Sequence, residues 1–160
     1  MYALDTAALA TPVGLVVIEG DADVVRRIRF HASGEERAAT APAVRAAAAQ
    51  VAAYFAGGLR AFDLPLAPAA TPRGAVLRQA MVDVSYGETA SYGELAARIG
   101  SSARALGQAC ARNPFPLVVP CHRVLQARGV LGSYSAGDGP VTKRWLLEFE
   151  AKRGSPATSG

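Results

Sequence analysis

The sequence predicts a mixed α/β (α+β) protein with a small sheet in its first half and a mostly helical second half. Two segments rich in β-branched residues, 14–20 and 24–30, lie near the N-terminus. After residue 74, apolar residues recur mostly at the spacing of an amphipathic helix. A Pro- and Ala-rich stretch at residues 59–74 separates the two patterns. A chain of 160 residues with 51% hydrophobic content suits one domain or two small ones. We therefore predict an N-terminal domain with its linker at 1–70, a second domain at 71–152 and a flexible tail at 153–160.

The first half is predicted to contain a β-hairpin followed by one helix. The sequence GDAD at residues 20–23 supplies turn residues between the two β-branched runs. The Ala-rich segment at residues 41–58 has strong helix propensity and ends in two glycines. Its apolar stripe is predicted to run through Val44, Val51 and Phe55.

The second half is predicted to contain a helix at residues 75–84 and then a pair of short helices. Ser91 and Glu94 form an S-x-x-E capping box that begins the first helix of the pair, and Gly100 ends it. Ser101 or Ser102 caps the second helix, whose Leu106 and Cys110 are expected to pack inward. Such a pair is a candidate helix-turn-helix, although any helical domain contains neighbouring helices.

The outward faces of the second helix carry mostly small side chains and one long basic side chain, Arg104. Small residues allow the backbone to approach a partner closely, and they also favour tight packing between helices. A helix that reads the major groove usually carries several Asn, Gln or Arg side chains, which this helix lacks. The pattern favours a groove in which shape matters and one Arg probes the base stack. The small residues are Ala103, Ala105 and Gly107.

The basic charge of the protein is concentrated in its second half. Residues 1–70 contain six basic and seven acidic side chains, whereas residues 71–160 contain eleven basic and six acidic ones. This asymmetry indicates either an anionic partner, of which nucleic acid is the usual one, or a solvated basic surface.

We expect a cytoplasmic protein without a membrane partner, a metal or another cofactor. No apolar run approaches the roughly 20 residues of a membrane helix, and Asp5 stands where a signal peptide would be basic. The two cysteines, Cys110 and Cys121, suit a reducing compartment better than a disulfide framework. The first half contains no cysteine that could join His31 in a zinc site, so His31 is expected to be a solvated residue at a strand end.

Cys121 is the candidate nucleophile. It follows residues 117–120, which are a short buried strand by composition, and it precedes His122 and Arg123. We expect these basic neighbours to lower the pKa of the thiol and so to favour the nucleophilic thiolate. Cys110 lacks such neighbours and is expected to be a small buried hydrophobe.

His122 is the candidate base for this thiol. Adjacent side chains on an extended segment point to opposite sides, so we expect a water between Cys121 and His122 instead of a direct contact. A carboxylate is then needed to fix the tautomer of the imidazole. Asp138, Glu148 and Glu150 all remain candidates.

Three motifs of the second half resemble the O6-alkylguanine-DNA alkyltransferase family, also called methylated-DNA–protein-cysteine methyltransferases. They are SYGELA at residues 91–96, NPFPLVVPCHRV at 113–124 and TKRWLLEFE at 142–150. The first half is similar only in outline, through TPVG at residues 11–14. The resemblance implies a ribonuclease H-like α/β domain followed by a helix-turn-helix that binds duplex DNA through the minor groove. It also implies that O6-alkylguanine is flipped out and its alkyl group is moved irreversibly onto the protein's cysteine, and we expect a monomer.

The resemblance also implies roles for the residues that match the motifs. Cys121 is then the alkyl acceptor, activated through a water by His122, which Glu150 orients. Tyr92 would donate a proton to the leaving guanine, and Asn113 would brace the turn before the active-site segment.

The remaining roles concern DNA and the guanine pocket. Arg104 resembles an arginine finger that fills the gap left by the flipped nucleotide, with the small residues of its helix beside it. Arg123 is also predicted to contact DNA. The predicted pocket consists of Val124, Tyr134, Ser135 and Lys143. The loop at residues 133–145 is slightly longer than the family's usual pocket loop.

Two other functions would also use a cysteine-containing pocket or a helix pair of this kind. One is a sensor that flips alkylated guanine without transferring the alkyl group, but such relatives replace the cysteine that is present here at position 121. The other is a thiol hydrolase or redox protein, which should turn over and need no DNA. The adjacent histidine, the helix pair and the absence of a close resolving cysteine favour the alkyltransferase.

Overall fold

The computed structural model describes residues 4–154. Contacts divide the chain into two compact units, Met1–Ala67 and Pro68–Gly160. The mixed α/β class predicted from the sequence is confirmed. Within residues 4–154, no helix has both the length and the apolar character needed to cross a membrane.

The first unit contains a three-stranded antiparallel sheet in the order β1-β2-β3. The strands are β1 (Asp5–Thr11), β2 (Gly14–Gly20) and β3 (Val25–His31). The β2–β3 pair is the predicted hairpin, with Ile18 paired to Ile28, and His31 is exposed at the end of β3 as expected. Strand β1 was not predicted, because its Ala- and Thr-rich sequence DTAALAT has little β-branched character.

Helix α1 (Pro42–Phe55) packs against this sheet. Val44 and Val51 are fully buried as predicted, but Phe55 is only half-buried and Tyr54 is fully buried. The predicted stripe is therefore wrong at its C-terminal end. Two small residues, Ala43 and Ala47, are also buried, and they shift the buried arc of the helix toward Tyr54.

The second unit contains four α-helices, two single turns of 3₁₀ helix and a two-stranded parallel sheet among its described residues. In chain order the elements are α2 (Pro72–Val82), β4 (Ala90–Ser91), α3 (Tyr92–Ile99), α4 (Ala103–Ala111), β5 (Val124–Leu125) and α5 (Pro140–Gly154). Helix α5 extends two residues into the predicted tail, and residues 155–160 lie outside the described part. Large apolar side chains that are almost fully inaccessible form the core of this unit: Leu95, Leu106, Phe115, Leu117 and Leu146.

The predicted pair of short helices is present as α3 and α4. Ser91 Oγ accepts from Glu94 N at 3.0 Å while Ser91 N donates to Glu94 Oε1 at 2.8 Å, so the capping box is complete. Gly100 ends α3 with a φ of 64°, a conformation that favours glycine. Ser102, and not Ser101, caps α4 by accepting from Ala105 N.

Candidate active site

The segment from Asn113 to Val124 is a series of turns. Leu117 adopts a φ of 79°, a left-handed conformation that is uncommon for a non-glycine residue. Pro116 and Pro120 cannot donate to a strand ladder because they lack an N–H group. The predicted buried strand at 117–120 is therefore wrong, although all four of its residues are buried.

Pro120 determines how Cys121 is presented. Its φ of −81° and ψ of 63°, together with a 2.8 Å hydrogen bond from Cys121 N to Val119 O, form an inverse γ-turn. The proline ring favours this φ. One turn of 3₁₀ helix, Cys121–Arg123, follows immediately. Cys121 thus stands at the first position of a short helix and not at the end of a strand.

Asn113 connects three points of this segment. Its Nδ2 donates to Val119 O at 2.9 Å and to Cys121 Sγ at 3.2 Å, while its Oδ1 accepts from Phe115 N at 2.9 Å. One side chain therefore holds both the backbone that presents the nucleophile and the nucleophilic atom itself.

His122 is fully buried against Glu150. His122 Nε2 lies 2.7 Å from Glu150 Oε2, and the carboxylate is 1% exposed. The other two carboxylates that the sequence left open, Asp138 and Glu148, are both exposed. Since an ionised carboxylate only accepts, Nε2 carries the proton, and Nδ1 of a neutral ring is an acceptor. His122 Nδ1 is buried without a hydrogen-bond partner in the described part of the chain.

Arg123 belongs to the same buried cluster, which corrects its predicted contact with DNA. Its Nε donates to Glu150 Oε1 at 2.8 Å and its Nη2 to Glu150 Oε2 at 3.1 Å, while Nη1 donates to Val84 O at 2.7 Å. The residue is only 5% exposed. A guanidinium that is paired this way is directed into the protein core, so it cannot reach the phosphate of a surface-bound duplex.

Lys143 is a buried cation that joins two segments near the nucleophile. Its Nζ donates to Val124 O at 2.8 Å and to Ser133 O at 3.2 Å. Burial lowers the pKa of this lysine, and its interactions with the two cysteines oppose that shift. Lys143 thus ties β5 to the start of the predicted pocket loop.

A cavity of about 120 Å³ opens beside Cys121. It brings together the predicted residues Cys121, Tyr92, Tyr134 and Ser135. The buried hydroxyl of Tyr134 lacks a hydrogen-bond partner within residues 4–154, so a ligand in the cavity could satisfy it. Two predicted pocket residues, Val124 and Lys143, are buried behind the lining. Gly107, predicted only for DNA contact, lines the cavity together with three residues that were not predicted: Cys110, Ala111 and Ser133.

The Cys121 thiol differs from the sequence-based expectation in its ionisation. Burial raises the pKa of Cys121, while the hydrogen bond from Asn113 and the charge of Lys143 act in the opposite direction. The expected lowering by His122 and Arg123 is wrong, because Glu150 neutralises the guanidinium and burial lowers the pKa of His122. The balance in this structure therefore favours the neutral thiol of Cys121.

The tyrosines of the cavity are also held in their protonated form. Burial, followed by the nearby cysteines, raises the pKa of Tyr92 to about 12. Burial raises the pKa of Tyr134 well above its usual value as well. Both hydroxyls can therefore donate hydrogen bonds at neutral pH.

Helix α4 presents its small side chains as the sequence predicted. Leu106 and Cys110 are buried, Ala103 and Arg104 are exposed, and Ala105 and Gly107 are partly exposed. A Cβ atom placed on Gly107 would meet no atom within 4 Å. Packing within the protein does not require glycine at this position, which leaves room for a partner to approach.

Four residues that line the cavity were not predicted as pocket residues from the sequence, and they come from two parts of the chain. Gly107, Cys110 and Ala111 lie three and four positions apart on α4, a spacing that places them on one helix face. Ser133 immediately precedes the predicted Tyr134. The helical spacing of Cys110 and Ala111 from Gly107 could therefore have identified these three residues as one face of α4. It could not have shown that this face lines the cavity beside Cys121.

Within residues 4–154, no group of three or more His, Cys, Asp or Glu side chains could hold a metal ion.

Comparisons with known proteins agree on one family. Residues 74–152 match the profile described as 6-O-methylguanine DNA methyltransferase, DNA binding domain. The methylated-DNA–protein-cysteine methyltransferase of Methanosarcina acetivorans is 36% identical over 153 residues, which cover 90% of this chain and 96% of that protein.

Two solved structures from Mycobacterium tuberculosis are similar along almost the whole chain. The O6-methylguanine methyltransferase matches with a TM-score of 0.81 and 36% identity, covering 97% of this chain and 96% of the other. The complex of OGT with DNA matches with a TM-score of 0.80 and 37% identity, covering 92% of this chain and 93% of the other.

Proposed function

The chain belongs to the methylated-DNA–protein-cysteine methyltransferase family, and from this premise we propose that it repairs O6-alkylguanine in duplex DNA by a single, irreversible transfer to Cys121. The observation that carries the proposal is the cavity that Cys121 shares with Tyr92, Tyr134 and Ser135. A soft thiolate suits displacement at a saturated carbon, and the resulting thioether is not hydrolysed. Each molecule therefore acts once.

Recognition of DNA is assigned to α4. The protein, as a monomer, places this helix in the minor groove, where Ala103, Ala105 and Gly107 permit close approach. Arg104, exposed in the first turn, enters the base stack and replaces the flipped nucleotide. The flipped guanine then occupies the cavity, and the unpartnered hydroxyl of Tyr134 supports a polar ligand there. Sedimentation of the complex should give one protein per lesion.

The proton of Cys121 is assigned to His122. A water relays it from the thiol to Nδ1, the buried acceptor without a partner in the described chain. Glu150, which accepts from Nε2, stabilises the imidazolium that forms. The high pKa of Cys121 before DNA binds keeps the thiol unreactive toward other electrophiles.

Alkyl transfer forms the S–C bond at Cys121 and breaks the C–O6 bond of the guanine. Tyr92 donates a proton to the departing base, so guanine leaves neutral. Asn113, which donates to Cys121 Sγ, holds the sulfur toward the incoming carbon. The proton on His122 then restores Tyr92, and over the whole reaction the thiol proton replaces the alkyl group on guanine.

The test measures the intact mass of the protein after incubation with a duplex that contains one O6-methylguanine. Peptide mapping then identifies the modified residue. We expect one added methyl group per protein, on Cys121 and not on Cys110. Cys110→Ser should still be methylated, and Cys121→Ser should not. DNA binding without a mass change would indicate a sensor, and repeated turnover would indicate a hydrolase; either result would refute the proposal.

A further inference from the structure

The loop that forms one wall of the active-site cavity is attached to the first turn of α5 at two points. This loop, residues 133–139, supplies its first three residues to the cavity lining. Lys143 Nζ donates to Ser133 O at 3.2 Å, and Thr142 Oγ1 accepts from Asp138 N at 2.9 Å. The residues that line the cavity therefore lie between two hydrogen bonds that hold the start and the end of the loop.

The two attachments differ in strength. Lys143 is a charged donor that also holds Val124 O at 2.8 Å, and hydrogen bonds from charged groups are about twice as strong as those between neutral groups. Thr142 offers one neutral hydroxyl to Asp138, which is exposed, so this amide can donate to water when the loop moves. We therefore expect the end of the loop at Asp138 to open more readily than its start at Ser133.

The end of the loop also packs closely on the Thr142 side chain. Thr142 is 4% exposed, and a Cβ atom placed on Gly137 would lie 2.6 Å from its Oγ1. Gly137 has a φ of 56°, a conformation that favours glycine. Gly139 N donates to Ala136 O at 3.0 Å, which closes the turn immediately before α5. The threonine is thus the surface against which the end of the loop is seated.

The opposite wall of the cavity is less able to move. It belongs to α4, whose backbone is held by its own helical hydrogen bonds and whose Leu106 is fully buried. The cavity measures about 120 Å³, whereas small-molecule pockets typically measure about 300–1,000 Å³. A flipped guanine with a large alkyl group therefore needs additional space, and the loop wall can provide it at a lower cost than the helix wall.

We propose that Thr142 is a positioning residue that restricts the size of the alkyl group: its hydroxyl holds Asp138 N and keeps the loop closed, and a group much larger than methyl must break this hydrogen bond. The inference rests on the proposed transfer to Cys121 and adds which adducts are preferred. A methyl group adds little volume to guanine, so it reacts with the loop closed. A benzyl group adds a ring, so its reaction includes the cost of opening the loop.

Two substitutions separate the hydroxyl of Thr142 from its bulk. Thr142→Val replaces the hydroxyl by a methyl group of similar size, and Thr142→Ser keeps the hydroxyl. Rates of Cys121 alkylation are measured with duplexes that contain O6-methylguanine or O6-benzylguanine. Loss of one hydrogen bond should raise the benzyl-to-methyl rate ratio by about 3- to 10-fold in Thr142→Val, whereas Thr142→Ser should keep the original ratio. Thr89→Val, which changes an exposed threonine outside the cavity lining, should leave the ratio unchanged.

Two further measurements do not require alkyl transfer. The amide hydrogen of Asp138 should exchange with solvent about 3- to 10-fold faster in Thr142→Val than in Thr142→Ser. In a Cys121→Ser background, Thr142→Val should raise the affinity for the benzylated duplex relative to the methylated one, as measured by fluorescence anisotropy. If Cys121 is never alkylated, the proposed function fails, but these measurements still answer whether Thr142 holds the loop and limits the adduct.

Four outcomes would overturn the inference. They are a benzyl-to-methyl rate ratio that is unchanged in Thr142→Val, an equal change of this ratio in Thr142→Ser, relative duplex affinities that do not depend on Thr142, or an Asp138 amide whose exchange does not depend on it. Thermal unfolding checks that each variant is folded. Should the Thr142 variants not fold, Gly137→Ala replaces them, because its methyl group would displace the loop from the Thr142 hydroxyl. An unchanged rate ratio in Gly137→Ala would also overturn the inference.

Discussion

At the scale of single residues, Glu150 is the carboxylate that joins His122 and Arg123 in one buried cluster. Its two oxygens accept from His122 and twice from Arg123 within a region that is almost fully inaccessible to water. These hydrogen bonds outweigh the cost of burial and lower the pKa of Glu150 to about 2. The carboxylate is therefore ionised throughout the physiological pH range, and it can stabilise a positive charge on His122.

Replacing Glu150 by Gln should slow alkyl transfer and move the rate–pH profile of Cys121 to higher pH. A neutral amide no longer stabilises the imidazolium that accompanies the thiolate, so the apparent pKa of the thiol rises. Glu148→Gln is the matched control, because Glu148 lies two positions away and is exposed. Stopped-flow transfer rates across pH measure both. A shift in the Glu148 variant without one in the Glu150 variant would contradict the assignment.

Arg123→Met should destabilise the fold strongly. It removes both hydrogen bonds from the guanidinium to the buried Glu150 carboxylate and the donor to Val84 O, and breaking a buried ion pair typically costs about 3–5 kcal/mol. Urea unfolding measures the change. Arg45→Ala, which removes an exposed arginine of α1, should change stability by less than about 0.5 kcal/mol. Similar free energies of unfolding for the two variants would mean that the contacts of Arg123 with Glu150 and Val84 contribute little to stability.

At the scale of elements, α4 combines a buried side, a cavity wall and an exposed face. Gly107→Ala should stabilise the free protein by up to about 1 kcal/mol, because alanine is the better helix former and the added methyl group meets no protein atom. The same methyl group should weaken binding to duplex DNA. Thermal unfolding and fluorescence anisotropy measure the two effects. Unchanged DNA affinity would show that this face does not meet the duplex.

Arg104→Ala should slow repair of duplex DNA by at least about 10-fold, since flipping a base costs a few kcal/mol and the variant lacks the side chain that fills the gap. Reaction with free O6-benzylguanine should be nearly unchanged, because that substrate needs no flipping. Arg45→Ala serves as the control for loss of one positive charge. Equal losses on both substrates would mean that Arg104 supports the fold instead.

At the scale of the whole molecule, both units contain carboxylates whose pKa lies at about 2. Hydrogen bonds from the backbone N–H groups of the loop at residues 40–41 and the turn at residues 23–24 lower the pKa of Asp5 and Asp21 in the first unit. Glu150 in the second unit owes its low pKa to His122 and Arg123. Each unit thus contains anions that bind protons more weakly in the folded state than in the unfolded state.

Stability should therefore fall as pH decreases from about 4 toward 2. The unfolded chain takes up protons at the ordinary pKa of Asp and Glu, whereas the folded chain resists protonation until pH approaches 2. Urea unfolding at a series of pH values measures this loss. Asp21→Asn should flatten the dependence, since Asp21 also pairs with Arg26 at 2.8 Å. Stability that stays constant between pH 4 and 2 would contradict the lowered pKa values.

Local interactions made several elements of both units predictable from the sequence. The capping box of α3, the glycine that ends it and the cap of α4 each involve residues within four positions of one another. The hairpin of β2 and β3 depends on a short turn between two apolar runs. Motif resemblance supplied the residues around Cys121, and the structure brings Tyr92, Tyr134 and Ser135 to the cavity that Cys121 lines.

The α/β class, the helix pair and the family of this protein could be predicted from its sequence, because they depend on local caps, turns and contiguous motifs. The burial of Arg123 against Glu150, the turns at residues 117–120 and the position of Cys110 at the cavity became known only from the folded structure. Each of these depends on partners distant in the chain or on the competition between solvation and pairing inside the core. Arg123 lies 27 positions from Glu150 and 39 from Val84. No local pattern specifies whether a charge is paired inside the core or exposed to solvent, because that balance depends on what the rest of the chain packs around it.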